Sequence, residues 1–242
     1  MKASSQTTAG SRGGDCTLVI MAKAPRPGVV KTRLTQSLPL AAVVELYRCL
    51  LHDTVALARS LDDVDIAIMC PASDAEDLSR VVGDKTPIVA QSGDGLAAGL
   101  TSVFAHFAAA DHRRIVAFNS DSPHLPASIL NSAFQALGQS DVVIGPTHDG
   151  GYYLVGATAS HAGLFAGDGL GTTNAYEMLR GRVRALGLSV SLTDAFYDID
   201  VADDLSRLAG ELRSAPARAP RTAQWLMEWR KAMPPEQSGG ER

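Results

Sequence analysis

Short apolar runs alternate along this chain with longer stretches of helical periodicity, and that alternation constrains the fold more tightly than any single motif. Thr17–Met21, Val64–Cys70, Ile88–Gln91, Ile115–Asn119, Asp141–Gly145, Tyr152–Val155 and Ser189–Leu192 read as strands. Between them, Leu38–Leu61 carries Val44, Tyr47, Leu51, Val55 and Ala58 at helical spacing, and Gly95–Ala110 carries Leu100, Val103, Phe104 and Phe107. Further helices are expected over Ser73–Val82, opened by a Ser73/Glu76 capping box, and over Pro126–Leu137, with proline near its start. Thr172–Leu186 and Val201–Leu212 complete the set. Strands separated by helices imply an α/β fold, a mostly parallel sheet with helices on both faces. A chain of 242 residues, 45% of them hydrophobic, with no internal repeat and no linker, fits one domain over 16–212. Residues 1–15 are polar and read as a disordered tail. Residues 213–242 read as a second tail, rich in Pro, Ala and Arg, in which Trp225–Met233 forms a short docked helix because Trp225, Leu226 and Trp229 share a face.

The first connection is chemically the most loaded. Met21-Ala-Lys-Ala-Pro-Arg-Pro-Gly-Val-Val-Lys-Thr-Arg-Leu34 sets Lys23, Arg26, Lys31 and Arg33 around Pro25, Pro27 and Gly28. Proline fixes φ and glycine tolerates tight turns, so the loop can hold a defined shape while it presents cations. It stands at the C-terminal end of a first strand, the edge at which α/β sheets bind ligands, and it suits a di- or triphosphate. The alternative is a solvated basic turn before a helix. It is not a Walker loop, because Val30 stands where glycine must precede Lys-Thr. Gly93-Asp-Gly95-Leu-Ala-Ala-Gly99 misses the dinucleotide fingerprint by one residue.

The formal net charge of −4 argues against a nucleic-acid binder that works by neutralising phosphates, so the basic loop is a local feature that points to a small anion. The three cysteines, Cys16, Cys49 and Cys70, lack metal-type spacing. Without a signal core or a run long enough to span a bilayer, the chain reads as cytoplasmic.

Three more constellations follow. In Asn119-Ser-Asp-Ser-Pro-His-Leu-Pro126, Asp121 lies just past a buried strand, where it either caps the turn or accepts a hard cation such as Mg2+. In Tyr197-Asp-Ile-Asp200, Asp198 and Asp200 point to one side of an extended segment and could share that cation, although Asp200 also suits the N-terminus of the last helix. Gly145-Pro-Thr-His-Asp-Gly-Gly-Tyr-Tyr-Leu154 has hairpin chemistry in Asp149-Gly-Gly. Tyr152 and Tyr153 beside it suit a polyhydroxylated or cyclic acceptor, and His148 is either a base or an exposed turn residue.

Together with Gln91-Ser-Gly-Asp-Gly-Leu96 and Asp198-Ile-Asp-Val-Ala-Asp-Asp-Leu205, these motifs resemble the GT-A-like (Rossmann-like) nucleotide-diphospho-sugar transferase superfamily. Within it they most resemble a poorly characterised bacterial family, transferase 1 of the radical-SAM and selenium-domain-associated group; molybdenum-cofactor and phospholactate guanylyltransferases are more distant members. The resemblance spans about residues 16–210. It implies a nucleotide over the N-terminal half of the sheet, with Lys31 and Arg33 on its phosphates and Ala22, Lys23, Arg26, Gly28, Gln91 and Gly93 around it. It further implies Mg2+ or Mn2+ at Asp121, Asp198 and Asp200, and a small-molecule acceptor near His148, Asp149, Gly150 and Tyr152. Asn119, His148 and the absence of a tryptophan before Gly169-Leu-Gly-Thr-Thr173 depart from the pattern, the last two in the acceptor half.

Two reactions fit. In nucleotidyl transfer an acceptor phosphate attacks an NTP and pyrophosphate leaves, which needs positioning and charge stabilisation by Lys31, Arg33 and a metal rather than a strong base. In glycosyl transfer from an NDP-sugar, Asp149 or His148 would be the base. The density of cations after the first strand favours the triphosphate. A non-catalytic nucleotide-binding protein is the third reading.

Overall fold

The computed structural model describes residues 14–232. A seven-stranded sheet forms its centre, built from β1 (Cys16–Met21), β2 (Val64–Cys70), β3 (Ile88–Ala90), β4 (Arg114–Asn119), β5 (Val142–Pro146), β6 (Tyr152–Ala157) and β7 (Val190–Leu192) in the order β3-β2-β1-β4-β6-β5-β7. All pairings are parallel except those of β6, which runs antiparallel to both β4 and β5. The alternation along the sequence is therefore realised as an α/β sheet, with one hairpin where Asp149-Gly-Gly reverses the chain.

Among the described residues the α-helices are α1 (Leu40–Arg59), α2 (Ala75–Val82), α3 (Gly95–Ala109), α4 (Ala127–Ala136), α5 (Ala175–Ala185), α6 (Ala202–Ser214) and α7 (Pro220–Ala232). Period-two alternation in β1 sends Leu18 and Ile20 to one face of the sheet and Val19 to the other. The first face packs on α1, α2 and α4 through Leu51, Val55, Leu78, Leu130 and Phe134. The second packs on α3 and α5 through Val103, Phe104, Leu179 and Val183. A third cluster joins the outer side of α1, with Leu46 and Leu50, to Leu205 and Leu208 of α6 and Leu226 of α7.

That outer layer extends the expected short terminal helix. It starts at Pro220 rather than Trp225, because the buried Asp53 of α1 supplies its missing cap: the carboxylate accepts the Thr222 amide and hydroxyl, each at 2.8 Å, and the Arg221 amide at 3.3 Å. Trp225 and Trp229 stack in parallel on it, centroids 5.4 Å apart. The capping box expected at Ser73 and Glu76 does not form. A short 3-10 turn, Ala72–Asp74, precedes α2, the Ser73 hydroxyl donates to Asp74, and Glu76 pairs with Arg80 one turn on. Asp74 is committed elsewhere, accepting the Ala24 amide at 2.8 Å and the Arg26 guanidinium at 2.7 Å. A contact some fifty residues distant in sequence thus overrides the local signal. The expectation of a disordered tail over 1–15 falls almost wholly outside the described residues. Among the described residues no helix is long and apolar enough to cross a membrane.

The connections place the site. From β1 the chain winds outward through β2 to β3, then returns to set β4 on the other side of β1. The C-terminal ends of β1 and β4 therefore diverge at a switch point, the crevice in which open α/β sheets hold ligands. The loop after β1 carries Lys31 and the loop after β4 carries Asp121.

Candidate active site

A cavity of about 560 Å³ opens at that crevice, lined among others by Ala22, Lys23, Lys31, Arg33, Gln91, Asp121 and Asp200. Its size falls within the range of small-ligand sites.

The loop after β1 is braced from outside. Arg26 reaches away from the cavity to Asp74 and Asp77, at 2.7 and 2.9 Å, and to the Ser73 carbonyl at 2.8 Å. It acts as a strut, not as a cavity-lining cation, which departs from its expected place around the nucleotide. Gly28, at φ 74°, turns the chain and does not line the cavity. Lys31 adopts a left-handed backbone at φ 48° and ψ 43°, uncommon for a residue with a side chain, before a 3-10 turn over Thr32–Gln36.

Lys31 is the hub. Its ammonium lies 2.7 Å from Asp121 Oδ2 and 3.1 Å from Asp200 Oδ1, with its side chain only 5% exposed. Burial pulls its pKa down, but Asp121, Asp200 and Asp198 outweigh burial, and the group is held well above the ordinary lysine value. Arg33, on the rim, donates to Asp200 Oδ2 at 2.9 Å. Asp200 is carried there by backbone contacts: Ile199 N–H donates to the Asp121 carbonyl at 3.3 Å, and the Ser122 hydroxyl donates to the Tyr197 carbonyl at 3.0 Å.

Beneath Asp121 runs a polar chain that the sequence reading missed. The Lys23 amide donates to Tyr47 Oη at 3.3 Å, Tyr47 and Ser120 hydroxyls lie 2.9 Å apart, and Ser120 Oγ donates to Asp121 Oδ1 at 3.0 Å. Burial pushes the Tyr47 phenol up to about 12, so it stays a neutral donor. On sequence alone Tyr47 is one more core residue of α1; nothing local tells that its hydroxyl ends at the site floor.

The carboxylates expected at a metal are not brought together as a set of three. Among the described residues no three His, Cys, Asp or Glu side chains form a group able to hold an ion. Asp121 and Asp200 share Lys31. Among the described residues Asp198 has no ion-pair partner, and it lies outside the cavity lining; burial pushes its pKa up to about 6, with Lys31 opposing and Asp121 and Asp200 adding to the rise. Two carboxylates facing an open cavity still suit Mg2+, which takes one or two and fills its shell with water and phosphate oxygens.

On the nucleotide side, Gln91 lines the cavity and its amide donates to the Gly93 and Gly95 carbonyls at 2.8 and 3.3 Å. It braces the Gly93 turn, which sits at φ 79° and does not itself line the cavity. Residues 148–152 also lie outside the lining. His148 and Asp149 are exposed. Asp149 Oδ1 accepts the Thr147 hydroxyl and, at 3.4 Å, the Gly151 amide, which closes its own turn. Tyr152 is half-buried with its hydroxyl unpartnered, and burial raises its pKa. Gly150, at φ 91°, presses against the next loop, for a Cβ there would clash with the Thr173 carbonyl oxygen. Gly150→Ala should therefore displace the turn and cost about 2 kcal/mol or more, read as a lower urea midpoint; an unchanged midpoint would mean that this turn is not packed against residue 173.

Comparison with known proteins bears on the fold. The model of a family described as an uncharacterized protein conserved in bacteria (DUF2064) matches residues 54–172. A search of curated proteins returned no match. Among solved structures, the chain is similar to a protein of Desulfovibrio desulfuricans G20 provisionally named a nucleotide-diphospho-sugar transferase, at 27% identity and TM-score 0.83, over 90% of this chain and 96% of that one. It is also similar to 4-diphosphocytidyl-2C-methyl-D-erythritol synthase of Anaerococcus prevotii DSM 20548, at 11% identity and TM-score 0.56, over 83% of this chain and 97% of the other. A third is CMP:2-keto-3-deoxy-manno-octonic acid synthetase, solved with CTP, at 8% identity and TM-score 0.54, over 82% and 98%. The fold is thus the Rossmann-like fold of the nucleotide-diphospho-sugar transferases.

Proposed function

We propose that this chain is a metal-dependent, nucleotide-using transferase, and more specifically a nucleotidyltransferase that joins an NTP to a phosphorylated small molecule and releases pyrophosphate. The observation that carries the proposal is the 2.7 Å pair of Lys31 and Asp121, on loops from β1 and β4, beside a cavity that Lys23 and Arg33 also line. Lysine and arginine neutralise phosphate oxygens and hold the reacting phosphorus in place. Asp121 and Asp200 would hold Mg2+ or Mn2+, which supplies further charge stabilisation on those oxygens. Ala22 and Gln91 line the part of the cavity left for the rest of the nucleotide.

One feature favours nucleotidyl over glycosyl transfer. An acceptor phosphate needs no strong base, and both base candidates stand outside the cavity, with Asp149 engaged in its own turn. CMP:2-keto-3-deoxy-manno-octonic acid synthetase, which shares the fold, was solved with CTP, so the scaffold accommodates a triphosphate in that protein. Glycosyl transfer is the second reading, supported by the name of the 27% identical relative.

Calorimetry with a panel of NTPs and NDP-sugars, with and without Mg2+ or Mn2+, tests the proposal. Metal-dependent preference for one NTP, followed by pyrophosphate release with a phosphorylated acceptor, is the expected result. Preference for an NDP-sugar would reverse the order of the two readings, and binding without turnover of any acceptor would leave a binding protein. In the same assay Lys31→Ala should weaken NTP binding by about 1.5–3 kcal/mol, roughly tenfold to a hundredfold, through loss of a charge-assisted contact. Wild-type affinity in that variant would remove Lys31 from the phosphate site.

A further inference from the structure

Both carboxylates suited to a divalent cation are already balanced by the chain itself. Asp121 Oδ1 accepts the Ser120 hydroxyl at 3.0 Å and Oδ2 the Lys31 ammonium at 2.7 Å. Asp200 Oδ1 accepts the same ammonium at 3.1 Å and Oδ2 the Arg33 guanidinium at 2.9 Å. Every oxygen of the pair has a donor, and two anions face two cations. A divalent ion entering here would stand against a positive charge buried at contact distance. Ion and ammonium compete for the same oxygens, and charge repulsion in a partly desolvated site is only weakly screened.

We infer that Lys31 is an electrostatic latch, which keeps divalent cations off Asp121 and Asp200 until a polyphosphate draws its ammonium away. The inference rests on the reading of this cavity as a nucleotide and metal site. Lys31 and Arg33 line the same cavity as Lys23, so phosphates that arrive there offer both cations new partners without their leaving the site. Phosphate oxygens then replace carboxylate oxygens around Lys31, and the freed carboxylates face the phosphates, which is the arrangement Mg2+ prefers: few protein ligands and several phosphate or water oxygens. The left-handed backbone of Lys31, φ 48° and ψ 43°, is a conformation that persists only where surrounding contacts hold it, and here the held contact is the latch. Binding is consequently ordered: metal enters with the nucleotide or after it, never before.

The test is Mn2+ binding, read by electron paramagnetic resonance of the free ion, with no turnover required. Wild-type protein alone should take up no Mn2+ beyond that taken by Asp121→Asn. Lys31→Met alone should bind about one ion per chain at least tenfold more tightly than wild type, and Lys31→Met with Asp121→Asn should lose it. With the four ribonucleoside triphosphates tried in turn, wild type should gain Mn2+ that Asp121→Asn, given the same nucleotide, does not. Tight, Asp121-dependent Mn2+ binding by nucleotide-free wild type would overturn the latch and leave the nucleotidyltransferase reading standing. Absence of Asp121-dependent Mn2+ from wild type with every nucleotide, and from Lys31→Met alone, would overturn the metal site and with it the proposed function. If Lys31→Met does not fold, wild type with and without nucleotide still decides the matter.

Discussion

Asp121→Ala should cut turnover of the preferred donor about a hundredfold to a thousandfold while the protein keeps its fold. In the proposed reaction Asp121 would hold the cation that stabilises the transferring phosphoryl group, and removal of one such charge-stabilising group commonly costs about two to three orders of magnitude. Asp121 is doubly placed for this. It stands at the switch-point crevice, and the Lys23–Tyr47–Ser120 chain fixes which of its oxygens faces Lys31. The cost to stability is smaller, about 1–2 kcal/mol, since Lys31 keeps Asp200 and Ser120 keeps Tyr47. Asp121→Asn should lose nearly as much activity, because it preserves shape but removes charge. Turnover within tenfold of wild type in either variant, with a circular-dichroism spectrum that shows the protein folded at the assay temperature, would sink the assignment.

Much of the fold was legible because burial follows period. Seven strands and the major helices stand within a few residues of their expected bounds, since the central strands β1, β4, β5 and β6 offer β-branched and apolar residues to two covered faces. Cavity-lining positions were legible where they lay on the loops that follow strands, as with Lys31 after β1 and Asp121 after β4. What could not be read was pairing at a distance. Arg26 looks like Lys31 in the sequence, yet α2 claims it through Asp74 and Asp77. Asp198 and Asp200 look equivalent, yet only Asp200 meets Lys31 and Arg33. Tyr47 and Asp53 both lie on α1 among apolar neighbours, and the partners of one are at the site floor while those of the other are in α7. Side-chain destinations depend on which elements the topology makes adjacent, and that information is not local.

Acidification should destabilise the protein through His124, by about 2 kcal/mol between pH 7 and pH 5 and by about 4–5 kcal/mol in full. His124 is fully buried in the turn after β4, wedged against Phe196 and Tyr197 with ring centroids 4.8 and 4.6 Å away. Neither ring nitrogen has a hydrogen-bond partner among the described residues. Burial first, then the positive charges of Arg218 and Arg207, push its pKa down to about 3. Arg218 also donates to the His124 carbonyl, Arg207 lies over the Tyr197 ring, and Glu211, bonded to the Tyr197 hydroxyl, is the acidic group of that corner. The sign follows from linkage. Below pH 6.5 the unfolded chain takes a proton on this histidine that the folded chain refuses, so stability falls with pH, and the fall continues until the folded form protonates near pH 3. His124→Phe keeps the aromatic wedge and the backbone acceptor while removing the titrating group. Its stability relative to wild type, from urea midpoints at pH 7, 6 and 5, should rise steadily as pH drops, because carboxylate contributions are common to both proteins. A difference that stays constant across that range would show that His124 titrates in the fold as it does in the unfolded chain, and one that falls as pH drops would show that it is held protonated in the fold. The same corner carries the Tyr197–Asp200 segment that delivers Asp200 to Lys31, so loss of packing at His124 should release the site's carboxylate pair before the sheet itself melts.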